Sequence, residues 1–445
     1  MDAPRVVVVG AGIAGLAAAF RLRQGGFEVT VLEASDHVGG RMRTIDRDGY
    51  RVDTGALMLS SQYKAMAALA VDAGLGGELV KTTNTIGFLR DGTVHRLSTS
   101  NPVDGLTTKL MPVRDKVAMG LIAVDLVRAW SKLDSYNLDQ AVGMDDENLL
   151  DYARRRGLSQ GTIDAFIEPL AMSLAFDDAR EMSEVGFLWA LRRVFGGRFF
   201  TFPGGVGTLP TTLAAGLDVT LDARVHHVQE HPGGVTVHWE GASGPASVEA
   251  TAAVIALPGP EVGAIYPCLD DERRSILNGI AYASSMHVHF GLKRAPAETS
   301  SMVYTTPDLH DGLGVTFFEH NKGPGRAPAG KGLLSTYWHG RWSARHWDLD
   351  DEKIIGLARA TAAKVFPDAL GDPGNIDMEF VSRARHCVVL NDPGRCREQA
   401  RLVALCHPTS RVQLAGDYFS CSSTNTSLHV GEVAARHLIT NRDAL

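Results

Sequence analysis

Gly10, Gly12 and Gly15 stand at the spacing with which a backbone wraps a pyrophosphate, and Glu33 follows at the end of the next apolar run. The stretch Gly10-Ala11-Gly12-Ile13-Ala14-Gly15 comes directly after Arg5-Val6-Val7-Val8-Val9 and leads into an apolar helical segment, residues 16–22. Three glycines alone say little. Set between a strand and a helix, with an acid after a second strand at 27–32, they read as a dinucleotide-binding turn. Gly10 permits the tight turn, Gly12 lets the backbone approach a phosphate, and Gly15 lets the helix pack close to the sheet. The helix N-terminus adds free N–H groups and the positive end of its dipole. Glu33 can accept hydrogen bonds from both ribose hydroxyls and would repel a 2′-phosphate. A plain glycine turn and a cleaved secretory segment are the bland alternatives. The turn spacing and the immediate second strand argue against both.

The elements that position these residues are spread over a chain of 445 residues, enough for two or three domains. A net charge of -7 offers no basic stripe for nucleic acid. Five cysteines without a CxxC pair fit a reducing, cytoplasmic setting better than a disulfide scaffold. No apolar run is long enough to span a bilayer. Residues 117–130 come nearest but carry Asp125 and Arg128. They read as a buried or substrate-lining helix, with an amphipathic helix lying on lipid as the alternative, so membrane contact is at most peripheral. No metal site is expected, because the histidines show no HExxH or paired spacing.

Along the chain, residues 50–52 form a short strand before the loop Asp53-Thr54-Gly55-Ala56-Leu57-Met58. Residues 86–97 read as a hairpin turning at Arg90-Asp91-Gly92. The 103–195 stretch is mostly helical, with turn or cap signals at Gly157 and near Gly161. Pro203-Gly204-Gly205-Val206-Gly207 is a turn into a helix. Strands are expected at 219–221, 223–229, 234–239 and 252–257, and an antiparallel sheet from 284–293, 314–319 and 332–339. A helix follows at 351–366. The chain closes with a strand at 411–415, a turn at Gly416-Asp417 and a helix at 425–440 capped by Thr424 or Asn425. The expected fold class is α/β: a discontinuous Rossmann-like nucleotide domain from residues 1–80, 203–265 and 405–445. An α+β substrate domain, antiparallel sheet plus helical insertion, takes 81–202 and 266–404.

With these motifs placed, the chain resembles the superfamily of flavin-containing amine oxidases, protoporphyrinogen oxidases and phytoene desaturases. The resemblance rests on the N-terminal glycines with Glu33, on Gly39-Gly40-Arg41, and on Pro203 to Gly207 followed by Val225. It also rests on Leu414-Ala415-Gly416-Asp417 entering a helix with Gly431. It implies FAD, held noncovalently by default. The AMP half would lie at Gly10, Gly12, Ala14, Gly15 and Glu33, with Gly40 and Arg41 near the pyrophosphate. Gly55, Ala56, Leu57 and Met58 would lie near the isoalloxazine ring, and Val225 would hold the adenine edge through its backbone. Gly416 and Asp417 would meet the ribityl or pyrophosphate region. Thr426 and Ser427 would present the closing helix N-terminus to the pyrimidine end, where reduced flavin carries negative charge.

The implied reaction is removal of a hydride equivalent from a mostly hydrophobic small molecule, by C–N oxidation or C–C desaturation, with oxygen or another acceptor completing the cycle. Many amine oxidases of the superfamily carry a lysine on a substrate-sheet strand. The matching stretch, Tyr282-Ala283-Ser284-Ser285-Met286-His287-Val288-His289-Phe290, has none, and Lys293 lies beyond it. The pattern leans toward the protoporphyrinogen oxidase or desaturase branches, or toward a specialised biosynthetic oxidase. Cys387 is about one residue off the place of the covalent flavin cysteine in monoamine oxidases. Candidate pocket residues are His289, Phe317, Tyr337, His339 and Tyr418, with Tyr337 and His339 on one strand face. No residue stands out as acid or base. A redox-neutral mutase or isomerase and a non-catalytic flavin-binding protein are the competing readings, and the oligomeric state stays open.

Overall fold

The computed structural model describes residues 3–134, 136–194 and 197–445. Phe195, the expected end of the helical insertion, lies outside them. Strand β1 (Arg5–Val9) is a valine run with both faces covered, as a central parallel strand must be. It pairs in parallel with β2 (Glu28–Leu32) and, on its other side, with Ala252–Ile255. Asp218–Thr220 and Val412–Leu414 complete a five-stranded parallel sheet, so strands from distant stretches of chain share one layer. Val6 and Val8 face helix α1 (Ile13–Gln24) and the closing helix, Thr424–Thr440. Val7 and Val9 face a three-stranded antiparallel layer, Arg224–His231, Gly234–Gly241 and Gly244–Ala250, and the helices after it.

Contact on the first face is unusually close. A Cβ on Gly15 would stand 1.9 Å from the Gly10 carbonyl oxygen, and one on Gly431 would stand 2.0 Å from the Ala14 carbonyl oxygen. The alanines of α1 are almost fully buried there. Ser423 caps the closing helix, its hydroxyl accepting from the Thr426 N–H at 3.1 Å. The cap is thus one or two residues earlier than expected. Serine takes it because its short oxygen reaches back to the first turn.

Residues 103–194 are helical, around a separate apolar core. Helix α2 (Val113–Ala129) buries one face on that core and exposes the other, so the expectation of a buried or substrate-lining helix is corrected. Gly157 does sit past a helix end, at φ 88°. Gly161 instead lies inside Gln160–Thr162, since a small residue is tolerated in a single turn.

The second sheet has seven strands. Strand β3 (Tyr282–Leu292) runs between β4 (Gly332–Trp338) and β5 (Ile376–Val389), both antiparallel to it. Leu313–Phe318, Met302–Tyr304 and the hairpin Thr85–Arg90/Thr93–Ser98 follow in order. The hairpin turns on Asp91 and Gly92, both at positive φ, which suits the twist of the flanking strands. The sheet is not purely antiparallel: Met302–Tyr304 pairs in parallel with Thr85–Arg90. β5, Met302–Tyr304 and Gly244–Ala250 were not expected as strands. Each departs from clean alternation, one by a mixed edge burial, one by being three residues long, one by a mostly polar run. On β3 and β4, Val288, Phe290, Leu334 and Trp338 pack on the helix Asp351–Val365. The opposite face, carrying His287, His289, Ser335 and Tyr337, turns toward the loop after Asp53. Asp53 itself ends a strand, Tyr50–Asp53, rather than opening the loop.

Replacing Gly431 with alanine forces a methyl into backbone and costs about 1–3 kcal/mol. The expected result is a thermal midpoint lower by several degrees, whereas alanine at Gly120, whose Cβ would meet nothing, leaves it in place. Equal melting of the two variants would contradict the close contact.

Candidate active site

The nucleotide end is built from backbone. The Gly10 N–H donates to Leu32 O at 2.8 Å, and the Gly39 N–H donates to Ala11 O at 2.8 Å, bringing the two glycine turns together. A Cβ on Gly12 would meet nothing within 4 Å, and one on Gly40 would stand 3.5 Å from the Gly12 Cα. The space over Gly12 at the α1 N-terminus is therefore the cradle that a pyrophosphate requires. Glu33 closes it: Oε2 accepts from the Ala11 N–H at 2.7 Å, and Oε1 accepts from the Ser35 N–H and hydroxyl. The Ala223 N–H donates to Glu33 O at 2.8 Å, which carries Val225 to the same side.

Arg41 and Asp417, far apart in sequence, form an ion pair at 2.6 Å. Asp417 also accepts from Ser422 at 2.8 Å and Tyr282 at 3.3 Å. Burial alone would raise the Asp417 carboxyl, but the Arg41 charge and the hydrogen bonds outweigh it and hold it below its ordinary value. Arg41 donates as well to the Cys387 carbonyl at 3.1 Å. The Cys387 thiol is pushed up to about 12, by burial first, so it is no thiolate. The Arg41 carbonyl accepts the Ala56 N–H, and Gly55 fits beneath it only because it lacks a Cβ. Tyr337 then donates to the Gly55 carbonyl at 2.9 Å, which joins this loop to β4.

At the closing helix, Thr426 spends its N–H on the Ser423 hydroxyl and Ser427 spends its own on the Ser423 carbonyl. Of the first-turn N–H groups, those of Thr424 and Asn425 are the ones left for a ligand. Of the expected helix N-terminus, Thr424 to Ser427, the N–H groups of Thr426 and Ser427 are thus already used, because the cap lies at Ser423. With open space at Gly12, a glycine loop at Gly55 and an uncommitted helix end, the residues present fit a flavin dinucleotide.

The face of β3 and β4 turned toward the Gly55 loop is aromatic. His287 stacks on Tyr337 with centroids 3.6 Å apart, Phe176 lies 5.9 Å from His287, and Phe317 meets Tyr337 edge-on at 5.2 Å. Leu57, Met172 and Tyr304 belong to the same cluster, and Met58 packs at its margin. His287 was not singled out in the sequence although it lies on the stretch that was. Its period-two relation to His289 placed both on one face but could not tell them apart. The structure does. His289 engages Ser335 at 2.9 Å and Ser382 at 3.2 Å, so both ring nitrogens are used, and burial pushes its pKa down to about 3. His287 has Nδ1 at 3.2 Å from the Thr54 carbonyl and Nε2 buried without a partner. Burial, with His289 nearby, lowers its pKa well below the usual value and keeps it neutral.

Three pocket candidates are corrected. His289 is a hydrogen-bonded strut. His339 lies past the end of β4 and caps a helix: Nδ1 accepts from the Arg341 N–H, and Nε2 donates to Asp178 at 3.1 Å. Strand alternation stops at Trp338, so Tyr337 and His339 do not share a face. Tyr418 packs with Phe419 in the core of the parallel sheet. Phe176, held at φ 57°, joins this aromatic cluster without any periodic signal in the sequence.

The chain was compared with known proteins. Residues 13–439 match the profile of the family described as flavin containing amine oxidoreductase. Protoporphyrinogen oxidase 2 of Arabidopsis thaliana is 26% identical over 53% of this chain and 52% of its own length, so the match spans about half of that relative. Polyamine oxidase 4 of Oryza sativa subsp. japonica is 26% identical over 82% of this chain and 74% of its own. Among solved structures, cyclohexylamine oxidase from Brevibacterium oxydans superposes with a TM-score of 0.76 at 18% identity, over 99% of this chain and 100% of that one. Wild-type putrescine oxidase bound to putrescine gives 0.74 at 17%, over 99% of each. These two likenesses establish the fold.

Glu33→Ala removes the brace of the Ala11 turn together with the carboxylate expected to meet the ribose. Titration of the apoprotein should give an FAD Kd raised by about tenfold or more. An unchanged Kd would remove Glu33 from the nucleotide end. Asp417 is held below its unfolded value, so its stabilisation is complete above that value and drains away as pH falls through the lowered one. Melting below the ordinary carboxylate range should therefore fall more steeply for the wild type than for Asp417→Asn. Parallel acid limbs would contradict the pairing.

Proposed function

This chain belongs to the flavin containing amine oxidoreductase family, its cofactor is FAD, and from that premise we propose that it oxidises a mostly hydrophobic small molecule at a carbon next to nitrogen. The observation that carries the reading is the neutral His287 with its free Nε2 on the aromatic wall. Noncovalent FAD would be held by Gly10 to Gly15, Glu33, Gly40 and Arg41 at its adenosine and pyrophosphate end. The Gly55 to Met58 loop and the closing helix N-terminus would hold its ring, with Val225 and the Gly416-Asp417 turn as further contacts. Bound there, FAD would supply the two-electron acceptor for the hydride equivalent, with oxygen or another acceptor completing the cycle.

The protein's own residues bind, orient and keep dry. Phe176, Phe317 and Tyr337 supply apolar walls that exclude water and fit a flat or greasy substrate. Tyr337 is kept protonated, burial raising its pKa first, so its hydroxyl stays a donor to Gly55 and holds the loop in place. His287 donates from Nδ1 to Thr54, which fixes the tautomer with a lone pair on Nε2. That nitrogen accepts a hydrogen bond from a substrate N–H and turns the neighbouring C–H toward the ring. An acceptor of this kind, neutral across the physiological range, does the orienting here without a lysine. Cys387, protonated and spent on Arg41 through its carbonyl, takes no part.

Anaerobic mixing with candidate amines, porphyrinogens and polyenes is the test, read by loss of flavin colour. A substrate with N–H should bleach it, and turnover without bleaching would favour a redox-neutral enzyme. His287→Leu should slow bleaching by about tenfold to a hundredfold with FAD still bound. His287→Gln, which keeps an acceptor, should retain more activity. The wild-type profile should show no inflection near the ordinary histidine value. A leucine variant as fast as wild type would remove His287 from the reaction.

A further inference from the structure

Helix α2 carries two apolar faces. Ala118, Ile122, Leu126 and Ala129 are buried on the helical core. At 3.6 residues per turn, Val113, Val117, Leu121, Val124 and Val127 fall on the opposite side, with Trp130 at its C-terminal margin, and all six are exposed. Val113 is 75%, Val117 65% and Val127 72% exposed. Six of the thirteen large apolar side chains exposed among the described residues thus lie on one helix and its cap. A row of this kind, rather than scattered single residues, marks a surface that meets something.

The charges around the row are mostly basic, with Asp134 an exposed acid near Trp130 at its C-terminal end. Lys109, Arg114, Arg128 and Lys132 are exposed beside it. Both acids of the helix are turned away. Asp115 is fully buried and accepts from Ser159 and Thr162 and, at 3.1 Å, from Arg114, whose side chain stays 70% exposed, while Asp125 pairs with Arg156 and accepts from Tyr152 at 2.8 Å. The whole chain has a net charge of -7, so this strip is a local basic feature on an acidic protein. The helix is also braced from the side, with Lys116 donating to the Leu106 carbonyl at 2.7 Å and Leu106 itself exposed.

From this we infer that α2 is a docking helix for an anionic lipid bilayer. It lies in the plane of the headgroups, the valine row enters the acyl boundary, and Arg114 and Arg128 meet lipid phosphates. No helix among the described residues is long and apolar enough to cross a membrane, which leaves the flat orientation. A second copy of the chain is the poorer occupant. A two-fold contact through this face would set Lys109, Arg114, Arg128 and Lys132 against their own copies, with Asp134 the one exposed acid near the row to answer them.

The test is flotation of the purified FAD-bound protein with phosphatidylcholine vesicles, with and without phosphatidylglycerol. The protein should float with the anionic vesicles and about tenfold less with the neutral ones or in high salt. Val117→Glu with Val127→Glu should abolish flotation while melting and flavin absorbance stay unchanged. Arg114→Gln with Arg128→Gln should remove only the preference for phosphatidylglycerol. Failure of the wild type to float, or flotation of the glutamate pair like wild type, overturns the inference. So does a dimer by light scattering that the glutamate pair dissolves, since the row would then serve self-association.

Discussion

Two helices from opposite ends of the chain touch backbone to backbone, and the cofactor cradle exists only where they do. The Ala14 carbonyl occupies the space a side chain would need at Gly431, and the Gly10 carbonyl does the same at Gly15. Glycine is thus required twice by contact rather than by an unusual dihedral angle. The first contact sets the distance between α1 and the closing helix. The second seats α1 over the turn that leaves β1. Together they fix where two helix N-termini stand relative to the sheet. Closing so long a loop adds little entropy beyond that of a shorter one, because the cost grows only with the logarithm of length. The chain can therefore build one layer from its beginning, middle and end.

The reaction end is fixed by charge instead. Asp53 is fully buried, as are Arg326, Lys322 and Glu319 around it. Asp53 faces Arg326 at 2.8 Å and Lys322 at 3.6 Å, and Lys322 pairs with Glu319 at 2.7 Å. Two acids and two bases balance. Its other oxygen accepts from Thr44 at 2.6 Å and from the Val206 N–H at 3.1 Å. One carboxylate thereby joins the strand before the Gly55 loop, the glycine turn at 205–207 and the segment after Phe318. Removing a single partner would leave an uncompensated buried charge, which costs about 3–5 kcal/mol. Such a junction holds the loop after Asp53 in place beside the buried aromatic cluster.

The nucleotide end was legible because its chemistry is local. Gly10, Gly12, Gly15 and Glu33 lie within one strand–helix–strand unit, and their jobs depend on spacing alone. The closing helix was readable to within two residues, yet its cap was not, because Ser423, Thr424 and Asn425 all cap well and only tertiary position chooses among them. The substrate sheet was half legible. β3 and β4 announce themselves as apolar runs, while β5 mixes buried and exposed residues along a sheet edge and carries no clean period. Pocket residues were least legible. Phe176 reaches the site through a left-handed residue at a helix end. His339 was lost to the site because its strand stops one residue short. Neither event leaves a mark on the period of the sequence.

The two histidines of β3 show how a fold separates support from exposure to substrate. Both are fully or almost fully buried on the same face, and both are held neutral by burial. Around His289 the sheet supplies a serine for each nitrogen, one from β4 and one from β5. Around His287 it supplies a carbonyl on one side and the face of Tyr337 on the other. Leaving the second nitrogen without a partner costs about 1–3 kcal/mol. The same strands show that a hydroxyl could have been placed there, since Ser382 already lies 3.5 Å from the other ring nitrogen. The unmet acceptor is therefore a local departure on β3, where Ser284, Ser285 and His289 all meet near neighbours. It falls where the aromatic rings meet the loop after Asp53, the loop proposed to lie along the flavin, which is where an unmet acceptor can be met by something that comes and goes.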